Sequence, residues 1–136
     1  MSVASQIKPD EHLGRRCSSS KKARRARRSN IPHTEFMPKK TPINISVDRL
    51  SMADQAGADI ANIARVEGAK RNVSFYGWAV IANQDVGRNG RKTKASPTTN
   101  NPYHGDIVLP ESARDDHDEQ ISHAQELAAA TFWRDP

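Results

Sequence analysis

The sequence predicts a small single α+β domain, with a three- to four-stranded sheet and two helices, preceded by a disordered basic arm. Three observations carry this expectation. Residues 43–48 (INISVD) alternate apolar with polar, and residues 73–82 (VSFYGWAVIA) form a β-rich apolar run. Residues 52–68 and 111–131 repeat small apolar side chains at helical spacing. Residues 15–28 hold eight basic side chains, no acid, and only Cys17 and two alanines as apolar groups. The expected division is an arm over 1–30 and a domain over 31–136, with its core at 43–109 and an acidic C-terminal helix at 111–131.

The arm buries too little apolar surface to offset the entropy of ordering it. Alanine and arginine are good helix formers, so it would become helical on a phosphate backbone. Pro32, Pro38 and Pro42 make residues 31–42 an extended lead-in. The first strand then turns Ile43, Ile45 and Val47 inward. Ser51-Met52-Ala53-Asp54 has the form of an N-terminal cap. It opens a helix over about 52–68, with Met52, Ala56, Ile60, Ile63 and Ala64 on one stripe, and Gly68 ends it. Gly57 weakens that helix.

Residues 73–82 read as a central strand covered on both faces. Asn89-Gly90 is a hairpin turn signal, with Arg91–Ala95 as a charged, edge-like return strand. Residues 96–102 (SPTTNNP) form a loop, and residues 106–109 another short strand. Asp115, Asp116, Asp118 and Glu119 suit the positive end of the last helix. Its expected inner face holds Ala113, His117, Ile121, Ala124, Ala128 and Thr131.

Composition narrows the function. Apolar residues make up 35% of the 136, and the formal net charge is +5. That charge is uneven: residues 1–40 carry 11 basic and 3 acidic residues (+8), residues 41–109 carry 8 and 6 (+2), and residues 110–136 carry 2 and 7 (−5). No apolar run reaches the length of a membrane span or a secretory signal. A cytoplasmic protein without a membrane partner is expected, or a nuclear one in a eukaryote, where Lys21–Arg28 would pass as a localisation signal. A single cysteine excludes a disulfide framework and a Cys-based zinc finger. Phosphate-loop, dinucleotide and nucleophile-elbow motifs are absent, and no cofactor is implied.

The strongest functional signal is the arm. Arg15, Arg16, Lys21, Lys22, Arg24, Arg25, Arg27 and Arg28 would neutralise phosphates and give sequence-independent nucleic-acid affinity. A non-catalytic nucleic-acid-associated protein is therefore the leading expectation; a solvated or targeting tail is the bland alternative. A second reading is an enzyme acting on a nucleotide or phosphate-containing substrate. His33, Arg49 and His104 sit at strand ends and loops, where two imidazoles and an arginine suit acid–base work. The bland alternative is that they cap loops and pair with nearby acids. A third reading is an interaction module of a toxin–antitoxin-like pair, with the acidic helix covering a basic partner or the chain's own arm.

No metal site is expected. His117 and His123 are six residues apart and point to different faces of a helix. Cys17 lies among arginines, which would favour its thiolate.

The strings Phe36-Met37-Pro38, Ile45-Ser46-Val47-Asp48-Arg49, Gly77-Trp78-Ala79-Val80, Ser96-Pro97 and Asn101-Pro102-Tyr103-His104-Gly105-Asp106-Ile107 resemble a group of small, uncharacterised bacterial proteins. Their pattern runs roughly F-x-P, L-S-V-D-R, N-P-x-H-A, and the likeness covers about residues 33–110. The chain departs from it at Ile45 and Gly105, where leucine and alanine are usual. The resemblance implies a bacterial origin and a shared core, with head and tail as additions, and no assigned activity.

Overall fold

The computed structural model describes residues 4–28, 30–38 and 43–136. Its strands are β1 His12–Cys17, β2 Asn44–Arg49, β3 Gly77–Ala82, β4 Lys92–Ala95, β5 His104–Val108 and β6 Phe132–Arg134. Its α-helices are α1 Ser20–Arg28, α2 Leu50–Gln55, α3 Ile60–Lys70, the single turn α4 Asn83–Val86, and α5 His117–Ala129. The strands form one sheet in the order β4-β5-β2-β1-β3-β6. Every pairing in it is antiparallel.

The class is α+β, but six strands and five α-helices among the described residues replace the expected three to four strands and two helices. The disordered basic arm is also overturned. Its first part, β1, sits inside the sheet and pairs with β3 in register from His12↔Ala82 to Cys17↔Gly77. Leu13, Arg15 and Cys17 share one strand face, and Leu13 and Cys17 are buried there. Its second part, α1, is amphipathic: Ala23 and Ala26 are buried while Lys21, Arg24, Arg25 and Arg28 stay exposed. Ser19 Oγ caps it by accepting from Lys22 N at 3.2 Å. Local composition hid both elements, because their partners lie far along the chain.

β2 forms as expected, with Ile43, Ile45 and Val47 buried. β3 is buried on both faces: Ala79 and Ile81 join the larger core, and Trp78 and Val80 the smaller. The larger core also takes Leu13, Phe36, Ile45, Ile107, Ala124 and Leu127. Each such Leu, Ile or Phe contributes roughly 1.5–3 kcal/mol on burial.

The helix expected over 52–68 is two helices. Gly57 has φ +67° and ends α2 just before Asp59 caps α3, its side chain accepting from Asn62 N at 3.1 Å. Gly68 does not end α3 but lies inside it. A Cβ there would meet the Val73 carbonyl oxygen at 2.5 Å, so glycine lets the following chain return tightly against the helix. Asn89 and Gly90 both have positive φ, as a turn requires, yet β4 pairs with β5 rather than back onto β3. Residues 96–103 are thus the connection of a β4–β5 hairpin, one residue longer than the expected loop. Arg91, expected on an exposed edge, is buried against Val86 O, His123 and Glu126.

Residues 111–113 form a separate 3-10 turn, and α5 restarts at the Asp116 cap. His123, Ala124 and Leu127 are its buried face, whereas His117 is exposed. Of the expected lead-in, Pro42 lies outside the described residues.

Candidate functional site

The two sheet faces are covered unequally. α5 and the 3-10 turn His33–Phe36 pack together on the face that carries Ile45, Val47 and Ile107. On the opposite face, Leu50, Ala53, Ile60 and Ala64 from α2 and α3 cover Trp78 and Val80. Strands β2 and β5 are left open beside α3. Alternation puts polar side chains there: Ser46 pairs with Asp106, and Asp48 with His104. The result is a cleft of about 720 Å3, floored by Asn44, Ser46, Asp48, His104 and Asp106. Its walls are the end of α3 (Glu67, Lys70, Arg71), residues 73–75 and the loop at Thr98 and Asn100.

β1 and β2 pair only at Leu13↔Arg49 and Gly14↔Asp48. Beyond that the strands part, and the Arg15 guanidinium bridges the gap. Its Nη1 donates to Ser46 O at 3.0 Å and its Nε to Glu35 O at 2.9 Å. Burial pulls its pKa below the ordinary value, with Glu35 opposing the shift. Arginine still remains a cation.

Asp48 lies buried beneath the cleft and is satisfied on both oxygens. Arg16 donates to it from Nε at 2.8 Å and Nη2 at 2.9 Å, Trp78 Nε1 at 2.9 Å, and Asn101 Nδ2 at 3.0 Å. Arg16 Nη2 also reaches Glu67 at 2.8 Å, tying β1 to α3. Burial alone would lower the Arg16 pKa, but its bonds to Asp48 and Glu67 outweigh burial and hold it above the ordinary value. Asp48 and Glu67 are thus both engaged by one arginine.

At the other side of the floor, Ser96 Oγ donates to Asp106 Oδ2 at 2.6 Å. That uses its single hydrogen, so Oγ can only accept from His104 Nδ1, 2.8 Å away. Ser96 O, 3.0 Å from the same nitrogen, is also only an acceptor. Nδ1 therefore carries the ring hydrogen, and Nε2 is the ring's free nitrogen when the imidazole is neutral. This is not the order of a serine-nucleophile triad, in which the hydroxyl donates to the imidazole and the imidazole to the carboxylate.

The structure does not gather the three expected catalytic residues. His104 lines the cleft, whereas Arg49, paired one position beyond Asp48, projects from the opposite face. Arg49 is a buried structural cation. Its Nε and Nη2 meet the two Glu11 oxygens at 3.1 Å each, and the carbonyls of Ala4 and Gln6 complete its shell. His33 opens the 3-10 turn on that same far side.

The eight basic residues separate into three roles. Arg15 and Arg16 line the cleft. Lys22 and Arg27 meet acids: Lys22 Nζ is 3.7 Å from Glu35, and Arg27 Nε is 3.0 Å from Asp135 with its guanidinium over Trp133. Lys21, Arg24, Arg25 and Arg28 are exposed and, among the described residues, make no ion pair.

Sequence reasoning missed Glu11, Glu67, Ser96, Asn101 and the Lys70–Arg71 pair. Asn101 is fully buried in what reads as an ordinary polar loop, where its Nδ2 donates to Asp48 and its Oδ1 accepts from Tyr103 N. The tandem Lys70-Arg71 closes α3, and only the placing of that helix beside β2 and β5 makes the pair a cleft wall. Cys17 is buried, and burial raises its thiol pKa, so the neighbouring arginines do not favour the thiolate. His123 accepts from Arg91 at Nδ1 and faces Glu119 with Nε2, which accounts for both ring nitrogens. Among the described residues no group of three metal-ligating side chains forms. No helix among them is long and apolar enough to cross a membrane. Comparison with known protein families, curated proteins and solved structures finds no match to this chain.

Proposed function

We propose that the protein is a non-catalytic nucleic-acid-associated protein that docks through α1. The observation that carries the reading is the exposed face of this helix. Lys21, Arg24, Arg25 and Arg28 stand on it, while Ala23 and Ala26 anchor the helix to the domain. A pinned helix presents its cations without the ordering entropy that a disordered arm would have to overcome on binding. Arginine and lysine at phosphates release counterions, giving affinity that needs no base contacts. Asp135 near the C-terminus pairs with Arg27, whereas the four exposed cations make no ion pair among the described residues.

The test is binding of duplex and single-stranded DNA and RNA across salt, comparing the natural chain with Arg24→Glu/Arg25→Glu/Arg28→Glu. These side chains are exposed, so the variant should keep the native circular dichroism spectrum. Removing three phosphate contacts should lower the slope of log K against log salt by about 2–3 and the affinity at low salt more than tenfold. An unchanged slope would sink the reading.

A further inference from the structure

We propose that the cleft beside α3 binds a nucleoside phosphate, with Lys70, Arg71 and Arg15 at the phosphate and Phe75 at the base. The inference goes beyond docking through α1 and rests on different residues.

Size admits such a ligand. The cleft of about 720 Å3 falls within the roughly 300–1,000 Å3 of small-molecule sites. Charge selects an anion. The cleft is lined by Arg15, Arg16, Lys70 and Arg71 against Asp48, Glu67 and Asp106. Arg16 ties Asp48 and Glu67 together, and Asp106 accepts the Ser96 hydroxyl, so four cations face three carboxylates and the lining keeps a small positive excess. Arg15 is oriented by two backbone carbonyls, which fix the guanidinium, and it makes no ion pair among the described residues, although Glu35 and Asp48 lie near enough to favour its charge. Lys70 and Arg71 have no ion pair among the described residues. An anion entering here meets three available cations, at least one of them already held in place, and preorganised arginine binds phosphate well.

The remaining lining favours more than bare phosphate. Phe75 is half-buried in the wall, braced edge-on by Trp78 at a centroid distance of 4.7 Å. A fixed ring of this kind offers a stacking surface to any base. Asn44, Ser46, Thr98 and Asn100 add neutral donors and acceptors to the same lining, which suit a sugar's hydroxyls. The nucleotide could be free or the end of a strand held by α1, since Ser18 lines the cleft two residues before that helix starts.

Calorimetric titration of the full chain with AMP, GMP, CMP, UMP and inorganic phosphate tests the site. A 5′-phosphorylated trinucleotide and its 5′-hydroxyl form, as further arms, distinguish the two sources. At least one mononucleotide should bind ten times tighter than phosphate. Lys70→Glu/Arg71→Glu, at exposed positions, should weaken it at least tenfold. Phe75→Leu should bring it to the level of phosphate. The triple α1 variant should leave mononucleotide binding unchanged, so loss of either site is seen separately. A trinucleotide that binds tighter only with its 5′-phosphate assigns the cleft to strand ends; mononucleotide binding without trinucleotide binding assigns it to free nucleotides. Equal affinity for phosphate and nucleotides, no nucleotide binding, or an indifferent Lys70→Glu/Arg71→Glu variant overturns the proposal.

Discussion

At the scale of single residues, the buried charges are the most constrained groups. Arg49 and Glu11 are both almost fully buried and hold one another through two hydrogen bonds. Arg49→Met leaves Glu11 without its cation, and should cost about 3–5 kcal/mol in urea unfolding. Adding Glu11→Gln removes the stranded charge, so the double variant should be more stable than Arg49→Met alone. A double variant no better than the single one would mean that packing, not charge, is lost. Cys17 gives a pH prediction. Its thiol pKa is raised above the ordinary 9.0, chiefly by burial, so the native state holds that proton more tightly than the unfolded chain. The stabilisation is present below the unfolded value and is lost as pH rises through the native one. Cys17→Ala should therefore flatten the alkaline fall in the urea midpoint. Iodoacetamide at neutral pH should label the native thiol at least about tenfold more slowly than the unfolded one. Neither role was legible from neighbours in sequence. Arg16 meets Asp48 from 32 residues away and Glu67 from 51 away, and such distances leave no local trace.

At the scale of elements, Gly57 sets where α2 ends and Gly68 sets how tightly the chain returns against α3. Gly57→Ala places a Cβ in the left-handed region and should cost about 1–2 kcal/mol. Gly68→Ala meets the Val73 carbonyl oxygen at 2.5 Å, a backbone atom that cannot rotate away. It should cost about 1–3 kcal/mol and loosen residues 73–75 at the cleft wall, read as faster amide exchange there. Equal stability of the Gly68→Ala chain would show that this return is not tight. The alternation in β2 was plain because one-sided burial repeats at period two, and β3 because burial on both faces makes a continuous apolar run, although the strand takes only Gly77–Ala82 of the expected 73–82. The partner of β4 was not. The Asn89-Gly90 turn forms, but α4 and the buried Arg91 carry the chain to β5. α1 was visible as a helix former; what pinned it, two small residues meeting a distant surface, was not.

At the scale of the whole molecule, residues 4–28 belong to the fold. β1 joins β2 to β3, so its loss would strip hydrogen bonds from both and open the larger core at Leu13. A chain beginning at Asn30 should lack a cooperative urea transition and dispersed amide signals. A folded, cooperative fragment would show that β1 is dispensable and that the head is an addition. The charge layout also changes meaning. The basic segment is split between a sheet interior, where Arg15 and Arg16 build a cleft, and a helix surface, where cations face outward. Substitutions, not truncation, are therefore the way to separate binding from folding.

The sequence by itself determined the α+β class, strands β2 and β3, the helical potential of α1 and the concentration of positive charge near the start. These follow from periodicity, propensity and composition, which act over a few residues. Only the tertiary structure decided that β1 is an inner strand, that Arg49 is structural, that His104 stands apart from it, and that one face of β2 and β5 stays open as a cleft. Charges entered the sheet because acids and carbonyls from distant segments converged on them, and the sheet, not the local sequence, brought those segments together.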